Sequence, residues 1–444
     1  MLGGLRVPVR RTAPTAGRRD TTMRCSRTHV LGSCLSQVIF GHFRDIGQSG
    51  LRALHSPIMK VLIASTGGAG HFNPLVPWID ESLRRGHEVL VVGPPGLAPA
   101  VERWKYPLRI GASAPAEEVA PIWAQVATMR HDDAAAIVIG EICCRLNSGA
   151  LLPVMRATCD DWAPDLVLRD PIEFASAVAA EERGIRHLRV GFGLASSEAE
   201  CLRGAATPLQ DFRPATDQRI AESTYLTLFP EVLDESPFSD TRRYRLPQHE
   251  PGGLPDWWPG NSDPLVYATF GTVAPTMPGM VRLYRAVLDA VAGLSVRVLL
   301  TVGRELDTAQ LGLPPSNVRI ERWVDQADVM AEAVLVVCHG GAGTTLGALA
   351  AGVPMVVFPL FADQAANAAC VDKAGAGVAV EARDAAAAQR SIESGDAASL
   401  RAAILQVLGD PGYANASAEI VAAFSDLPLL EDIYDKLLPE RHSA

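Results

Sequence analysis

The chain has 444 residues, of which 48% are hydrophobic and 20% charged, and a formal net charge of −10. That length and balance suit a globular protein with room for two α/β domains. The acidic surplus argues against nucleic acid as the main partner, because binding phosphates calls for a basic face. Eight cysteines are scattered without a CxxC pair. They form neither a disulfide framework nor a zinc site, and a reducing cytoplasm is the simple expectation. The longest apolar run, 348–362, is shorter than the ~20 residues that span a bilayer and contains Gly and Pro, so no membrane span is expected.

Residues 1–58 stand apart, with nine Arg and no Lys or Glu against two Asp, a formal +7. They are Arg-rich and acid-poor like a transit peptide, and 30–40 is a weak candidate for a signal core. Because Met59-Lys60 directly precedes the first strand, the preferred reading is a disordered extension arising from a start placed too early.

A strand over 60–65 leads into the Gly-rich loop 66–73, T-G-G-A-G-H-F-N. Asn73 suits a helix cap and Pro74 a first helical position, and the helix runs to Gly86. A strand over 88–92 completes a βαβ unit. Asn73 stands where a dinucleotide fingerprint needs its last Gly, which makes a Rossmann oxidoreductase a poor reading. His71 lies at the mouth of the turn. A neutral imidazole with pKa near ~6.5 can take a proton from a hydroxyl near neutral pH, or the residue only hydrogen-bonds locally. The stretch 162–170 reads as a loop and then a strand ending at Asp170. Arg169 beside it leaves a plain ion pair open, and Asp165 reads as a loop cap. A helix over 173–183 and a strand near 187–190 follow. The Ala-rich stretch 112–155 has patchy helical signals. Its Trp123, Met129, Ile137, Ile142, Leu146 and Met155 either line an apolar cleft or form helix core. The stretch 196–216 reads as polar loop and helix with no chemistry.

The Pro- and Gly-containing stretch 247–264 reads as a linker, with Trp257-Trp258 packing at a domain seam. A strand over 265–270 runs into Gly271-Thr272, whose hydroxyl suits either a phosphate or a helix cap. A helix over 279–292 and a strand over 296–302 come next. In 319–328, R-I-E-R-W-V-D-Q-A-D, Trp323 is either core or a stacking platform.

The densest stretch is 334–371. VLVVC reads as a buried parallel strand, His339-Gly340-Gly341-Ala342-Gly343 as a turn, and Thr344-Thr345 as the opening of a helix over 346–351. Gly352 and Pro354 end that helix, and 354–360 is a strand. Asp363, Gln364 and Asn367 then cluster past the strand's C-terminal end, where open α/β sheets bind ligands. A helix N-terminus behind a Gly turn is an anion site. This one is neither a P-loop nor GxGxxG, since Leu346 occupies the third Gly position. The stretch 384–395 reads as surface, and helices are expected over 398–408, 411–424 and 427–438.

In order, G-H-F-N-P, R-W-V-D-Q, H-G-G-x-G-T-T, G-V-P, A-D-Q and N-A resemble the nucleotide-sugar-dependent glycosyltransferases of family one. Within that family they resemble the actinobacterial natural-product branch that glycosylates antibiotics. The likeness covers 59 to about 430. It implies the α/β fold GT-B, two doubly wound Rossmann-like domains facing across a cleft. Residues 59–246 would bind the acceptor, 247–264 link, 265–425 bind the nucleotide sugar, and 426–444 cross back to the first domain. It implies inverting transfer of a sugar from a dTDP or UDP donor to a hydroxyl of a small hydrophobic natural product. His71 would be the base and Asp170 its partner. Thr272, His339, Gly341, Gly343 and Thr344 would hold the diphosphate, Trp323 and Val324 the nucleobase, and Asp363 and Gln364 the sugar. No metal and no cofactor is expected, the nucleotide sugar being a co-substrate, and a homodimer stays open. Asp325 departs from the family's frequent Pro, which leaves the path of that loop and the contact of Gln326 open. Two alternatives are a non-catalytic nucleotide-sugar-binding protein and a sugar-nucleotide 2-epimerase. An intact His71 and Asp170 argue against the first; the second would want acidic residues near the sugar and no acceptor pocket.

Overall fold

The computed structural model describes residues 58–126, 129–247, 250–277, 279–380, 391–393 and 395–438. The reading of 1–58 falls outside them but for its last residue, as do 384–390 and 394 of the surface stretch.

Seven strands form the first sheet: β1 (Lys60–Ala64), β2 (Glu88–Gly93), β3 (Leu108–Ile110), β4 (Leu166–Arg169), β5 (Arg186–Val190), β6 (Tyr225–Thr227) and β7 (Thr241–Arg243). Six form the second: β8 (Leu265–Thr269), β9 (Arg297–Thr301), β10 (Val318–Glu321), β11 (Ala333–Cys338), β12 (Met355–Val357) and β13 (Gly377–Ala379). The orders are β3-β2-β1-β4-β5-β6-β7 and β10-β9-β8-β11-β12-β13, so each sheet winds out from its first strand and then reverses. Every pairing is parallel; β1 sets Val61 beside Val89 on one side and beside Leu166 on the other. This is the doubly wound order expected, in duplicate.

Helices cover both faces, so the central strands are apolar on both sides rather than alternating. Val61, Ile63, Leu166 and Leu168 enter one core of the first sheet. Leu62, Ala64 and Val167 enter the other. The second sheet divides in the same way, Val266 and Val337 to one face, Tyr267 and Val336 to the other. Strands β3, β6, β7, β10 and β13 went unread in the sequence. Each has three or four residues, and β3, β7, β10 and β13 join near the sheet edges or form them. Too short to show a period, they exist because a neighbour pairs with them.

Two local expectations are corrected. The loop 66–73 does not end at an Asn73 cap. Gly68, at φ 103°, turns the chain into a short helix, Ala69–Phe72, and a 3₁₀ turn, Asn73–Leu75, takes up Pro74. His71 therefore sits inside a helical turn. The helix after β11 starts earlier than Leu346, at Ala342, with Gly341 as its N-cap.

The helical stretch Asp133–Trp162 is long and apolar enough, by length and composition, to cross a membrane, although no unbroken apolar run marks it. Its Cys144, Leu151, Leu152, Met155 and Cys159 pack with Leu62, Val167 and Val178 in the core of the first sheet. Of the residues considered for an apolar cleft, Ile142 and Met155 are buried and Trp123 is 51% exposed. They do not line one surface together.

Helix Leu430–Leu437 packs Leu430, Ile433, Tyr434 and Leu437 into the first sheet's core with Trp78 and Tyr244. The strap is tied at its start, where Leu430 N donates to Arg245 O (3.0 Å) and Arg245 N donates to Pro428 O (2.9 Å). The Tyr434 ring stacks on Trp78, centroids 6.0 Å apart, and its hydroxyl donates to Ser82 Oγ at 3.0 Å. Removing this fully buried ring leaves a cavity, so Tyr434→Ala should destabilise the chain by about 3–5 kcal/mol. Tyr434→Phe, which loses one hydrogen bond, should cost about 1 kcal/mol. Urea unfolding of the two variants reads both values.

Candidate functional site

In each sheet the order reverses between the first strand and its neighbour, β1 against β4 and β8 against β11. Loops leaving the C-terminal ends of these pairs diverge and open a crevice. The residues singled out by sequence at 66–71, 170, 271–272 and 339–344 lie at these two crevices.

At the first, Asp170 N donates to Ala64 O (3.0 Å), which carries the β1–β4 pairing one residue past the strand. Asp170 is fully buried. Its Oδ2 accepts from Thr66 N (2.7 Å), Thr66 Oγ1 (3.0 Å) and Ser65 Oγ (3.2 Å). Its Oδ1 accepts from Ile172 N (2.9 Å) and Glu173 N (3.0 Å). Five donors thus lock the carboxylate in place. His71 Nδ1 stands 3.9 Å from Oδ1, with the His71 side chain 28% exposed. That ring nitrogen has no hydrogen-bond partner, and the ring meets the edge of Phe192 at 4.4 Å between centroids. Arg169 does not claim Asp170 as an ion partner. It is fully buried, and its Nη1 donates to the carbonyls of Asp170 (3.1 Å), Pro171 (3.2 Å) and Glu173 (2.7 Å). Asp165, read as a loop cap, accepts from Lys60 N at 2.9 Å and ties the start of β1 to that of β4.

A cavity of about 200 Å³ opens beside this pair, with Thr66, Ser113, Cys143, Asn147, Ser148 and Glu173 among its walls. Cys143, Asn147 and Ser148 come from the π-helical segment Val138–Ser148, whose wider turn departs from the α-helical spacing. That departure is why the sequence singled out neighbouring positions instead. Burial, and then the charge of Asp170, push the Cys143 thiol up to about 12. Burial pushes the Glu173 carboxyl up to about 7.

At the second crevice His339 follows β11 and is 8% exposed. Burial drives its pKa down to about 4, so the ring is neutral at physiological pH. Two glycines enclose it. A Cβ at Gly271 would lie 2.8 Å from His339 Nε2, and one at Gly341 would lie 2.5 Å from it. Gly340, at φ +83°, would clash with Val357 Cγ1 at 2.7 Å. Helix Ala342–Ala350 begins there, and its first internal bond is Thr345 N to Gly341 O at 3.0 Å. The amides of Ala342, Gly343 and Thr344 precede that bond and make an N-terminal anion site. Thr272 is exposed next to Gly271.

Trp323 is 48% exposed, with the Arg304 guanidinium 5.8 Å above its ring. The core alternative for this residue does not hold. Val324 packs against the second sheet's core. Asp325, the departure from the motif, caps helix Gln326–Met330 through Ala327 N at 3.0 Å. Gln326 Nε2 donates to Thr344 Oγ1 at 3.3 Å, joining this loop to the anion site. Asn367 Nδ2 donates to Gly340 O (2.8 Å) and to Asp363 Oδ2 (2.9 Å). Gln364 is nearly buried, and its Oε1 accepts from Leu360 N (2.8 Å) and Phe361 N (3.2 Å). Its carbonyl end thus holds the loop, and its amide N–H end is what it can offer a ligand.

The two crevices meet at the turn after β5. A Cβ on Gly193 would lie 3.5 Å from Asp363 Oδ2 and 3.8 Å from Ala342 Cβ. The same turn carries Phe192, which touches His71. The sequence reading passed over this turn. G-F-G directly after a strand near 187–190 was the available signal, since ligand residues follow C-terminal strand ends.

The folded pKa of His339 lies below its unfolded value near ~6.5, so the unfolded chain binds the extra proton between the two. Stability from this group is full above ~6.5 and lost as pH falls toward the folded value, roughly 3 kcal/mol over the window. Urea unfolding at pH 6.5 and 4.5 should show a steeper acid loss in the parent than in His339→Gln.

Two family models match the chain, erythromycin biosynthesis protein CIII-like, N-terminal domain over residues 83–258 and C-terminal domain over 285–438. The L-demethylnoviosyl transferase of Streptomyces niveus is 31% identical over 334 residues, 72% of this chain and 85% of that protein. The elloramycin glycosyltransferase of Streptomyces olivaceus is 28% identical over 397 residues, 85% of this chain and 97% of that one. Among solved structures, the spinosyn rhamnosyltransferase SpnG superposes with a TM-score of 0.69 complexed with thymidine diphosphate and 0.70 with spinosyn aglycone. At 21% and 22% identity, covering 85% of this chain and 100% of that one, it shows the GT-B fold. The chain therefore belongs to the erythromycin biosynthesis protein CIII-like family, in the actinobacterial natural-product branch of the family one glycosyltransferases, and is itself a glycosyltransferase.

Proposed function

We propose that the enzyme moves a sugar, with inversion, from a nucleoside diphosphate to a hydroxyl of a small hydrophobic natural product. The observation that carries this reading is His71, 3.9 Å from a locked Asp170 and beside a cavity. His71 accepts the acceptor's hydroxyl proton at Nε2, while Nδ1 faces Asp170, which orients the ring and stabilises the imidazolium. The freed oxygen attacks the anomeric carbon as its bond to the diphosphate breaks. Negative charge then grows on the leaving diphosphate. The amides at Gly341, Gly343 and Thr344, the neutral ring of His339 and the Thr272 hydroxyl are suited to receive it. Such fixed dipoles meet that charge without a metal or a cofactor. Trp323 offers its exposed face to the nucleobase, next to Val324, and Asp363 with Gln364 faces the sugar hydroxyls. A thymidine diphosphate donor is favoured by the spinosyn relative, solved with that nucleotide. The cavity favours transfer to an acceptor over 2-epimerisation, which needs no second pocket.

His71→Ala should lower kcat/KM by about 10³-fold while leaving thymidine diphosphate affinity unchanged by calorimetry. Retained turnover would remove His71 from the base role. Trp323→Ala should weaken nucleotide binding by about ten-fold or more, as loss of one base stack does, with kcat little changed. Titration of both variants with thymidine and uridine diphosphates also ranks the two bases.

A further inference from the structure

Helix Ala195–Phe212 starts directly after the turn that joins the two crevices. Glu198, in its first turn, is 4% exposed. Its Oε1 accepts from both Phe192 N and Gly193 N, each at 3.0 Å. The turn is also held from below. A Cβ on Gly191 would lie 2.4 Å from the Tyr225 hydroxyl, and that hydroxyl donates to Gly193 O at 3.4 Å. The Arg189 guanidinium packs on Phe238 at 3.9 Å and on Tyr225 at 5.4 Å. It supplies the positive charge behind the carboxyl, whose pKa burial pushes up to about 8. Burying an acid to tie down two amides is expensive, since a serine or asparagine caps a turn at less cost. What the turn touches explains the arrangement. Phe192 meets the His71 ring edge-on, and Gly193 faces Asp363 and Ala342 of the donor half across a gap that a single Cβ would fill.

We propose that Glu198 is a positioning residue for sugar transfer, clamping the 191–194 turn so that one rigid piece orients His71 through Phe192 and meets the donor loop through Gly193. The inference rests on His71 being the base. Orientation of a base matters in the transition state and little in either ground-state complex, so the effect falls on kcat. Glu198→Gln keeps an oxygen that accepts both amides; Glu198→Ala keeps none.

The experiment measures kcat, KM for donor and acceptor, thymidine diphosphate stoichiometry and melting temperature. The set is Glu198→Ala, Glu198→Gln, Phe192→Ala and the Glu198→Ala/Phe192→Ala double variant. The expected result is a kcat loss of at least ten-fold in Glu198→Ala with both KM values within three-fold and full nucleotide stoichiometry. Glu198→Gln should recover kcat to within three-fold of the parent. Phe192→Ala should reproduce the loss, and the double variant should be no worse than either single. Parent-like kcat in Glu198→Ala, losses equal to the fall in nucleotide stoichiometry, or additive losses in the double variant would overturn the proposal. Glu198→Gln and Phe192→Ala keep the test open if Glu198→Ala does not fold. His71→Ala assayed alongside separates the two readings. Turnover retained there sinks the base role, whereas turnover lost there and kept in the Glu198 and Phe192 variants sinks only the positioning role.

Discussion

The pairing of each sheet's first strand with its fourth, β1 with β4 and β8 with β11, is the constraint on which the site depends. A right-handed crossover sends the chain to one side of the first strand and then to the other. Only at that reversal do two neighbouring strand ends release loops in opposite directions. Asp170 lands beside Thr66, and His339 beside Gly271, because the registers of these two pairs leave no other place for them. Shifting either register by one residue would exchange the side chains that enter the two cores, and close-packed cores do not accept residues of the wrong size and shape without cost.

Around this frame the protein buries polar groups that would be costly alone. Asp170 takes five hydrogen bonds from its surroundings. Arg169 gives its Nη1 to three carbonyls of the loop that carries Asp170. Asn367 spans Gly340 and Asp363, holding the anion turn and the adjacent loop as one unit. Buried hydrogen bonds of this kind favour a single geometry, which a site needs when small displacements weaken catalysis. Some buried polar atoms go without a partner: Arg169 Nε and Nη2, Asn367 Oδ1, His71 Nδ1 and the Nδ1 of His339, whose neutral ring is wedged where neighbouring side chains are excluded.

Much of the second crevice was legible in the sequence because its structure is local. The strand, glycine turn and helix from Val336 to Ala350 are contiguous, and a helix N-terminus carries its amides with it. The helix boundary was placed four residues late, since Ala342 and Gly343 show no apolar period. Trp323 was ambiguous for a similar reason. A lone tryptophan reads as core until its exposure is known, and here it is 48% exposed. The Asp325 departure has a local answer invisible to the motif, because its side chain replaces a rigid proline with a helix cap.

The first crevice was less legible because its residues meet only through the fold. Its wall comes from a π-helical segment whose spacing follows no apolar period, so the cavity residues Cys143, Asn147 and Ser148 escaped notice while their neighbours were named. The short strands β6 and β7 carry no pattern of their own, yet Tyr225 on β6 supports the turn that joins the crevices. Sequence alone determined the fold class and the family, and it drew His71, Asp170 and the glycine turn at 339–343 to notice, because each is written in contiguous periodicity or a compact motif. Tertiary structure alone decided that Arg169 turns from Asp170, that Gln364 holds its own loop, and that Glu198 grips the turn between the crevices. In each case the partners lie within six residues along the chain, but which of them a side chain takes depends on its burial and on the polar groups that packing leaves without another mate.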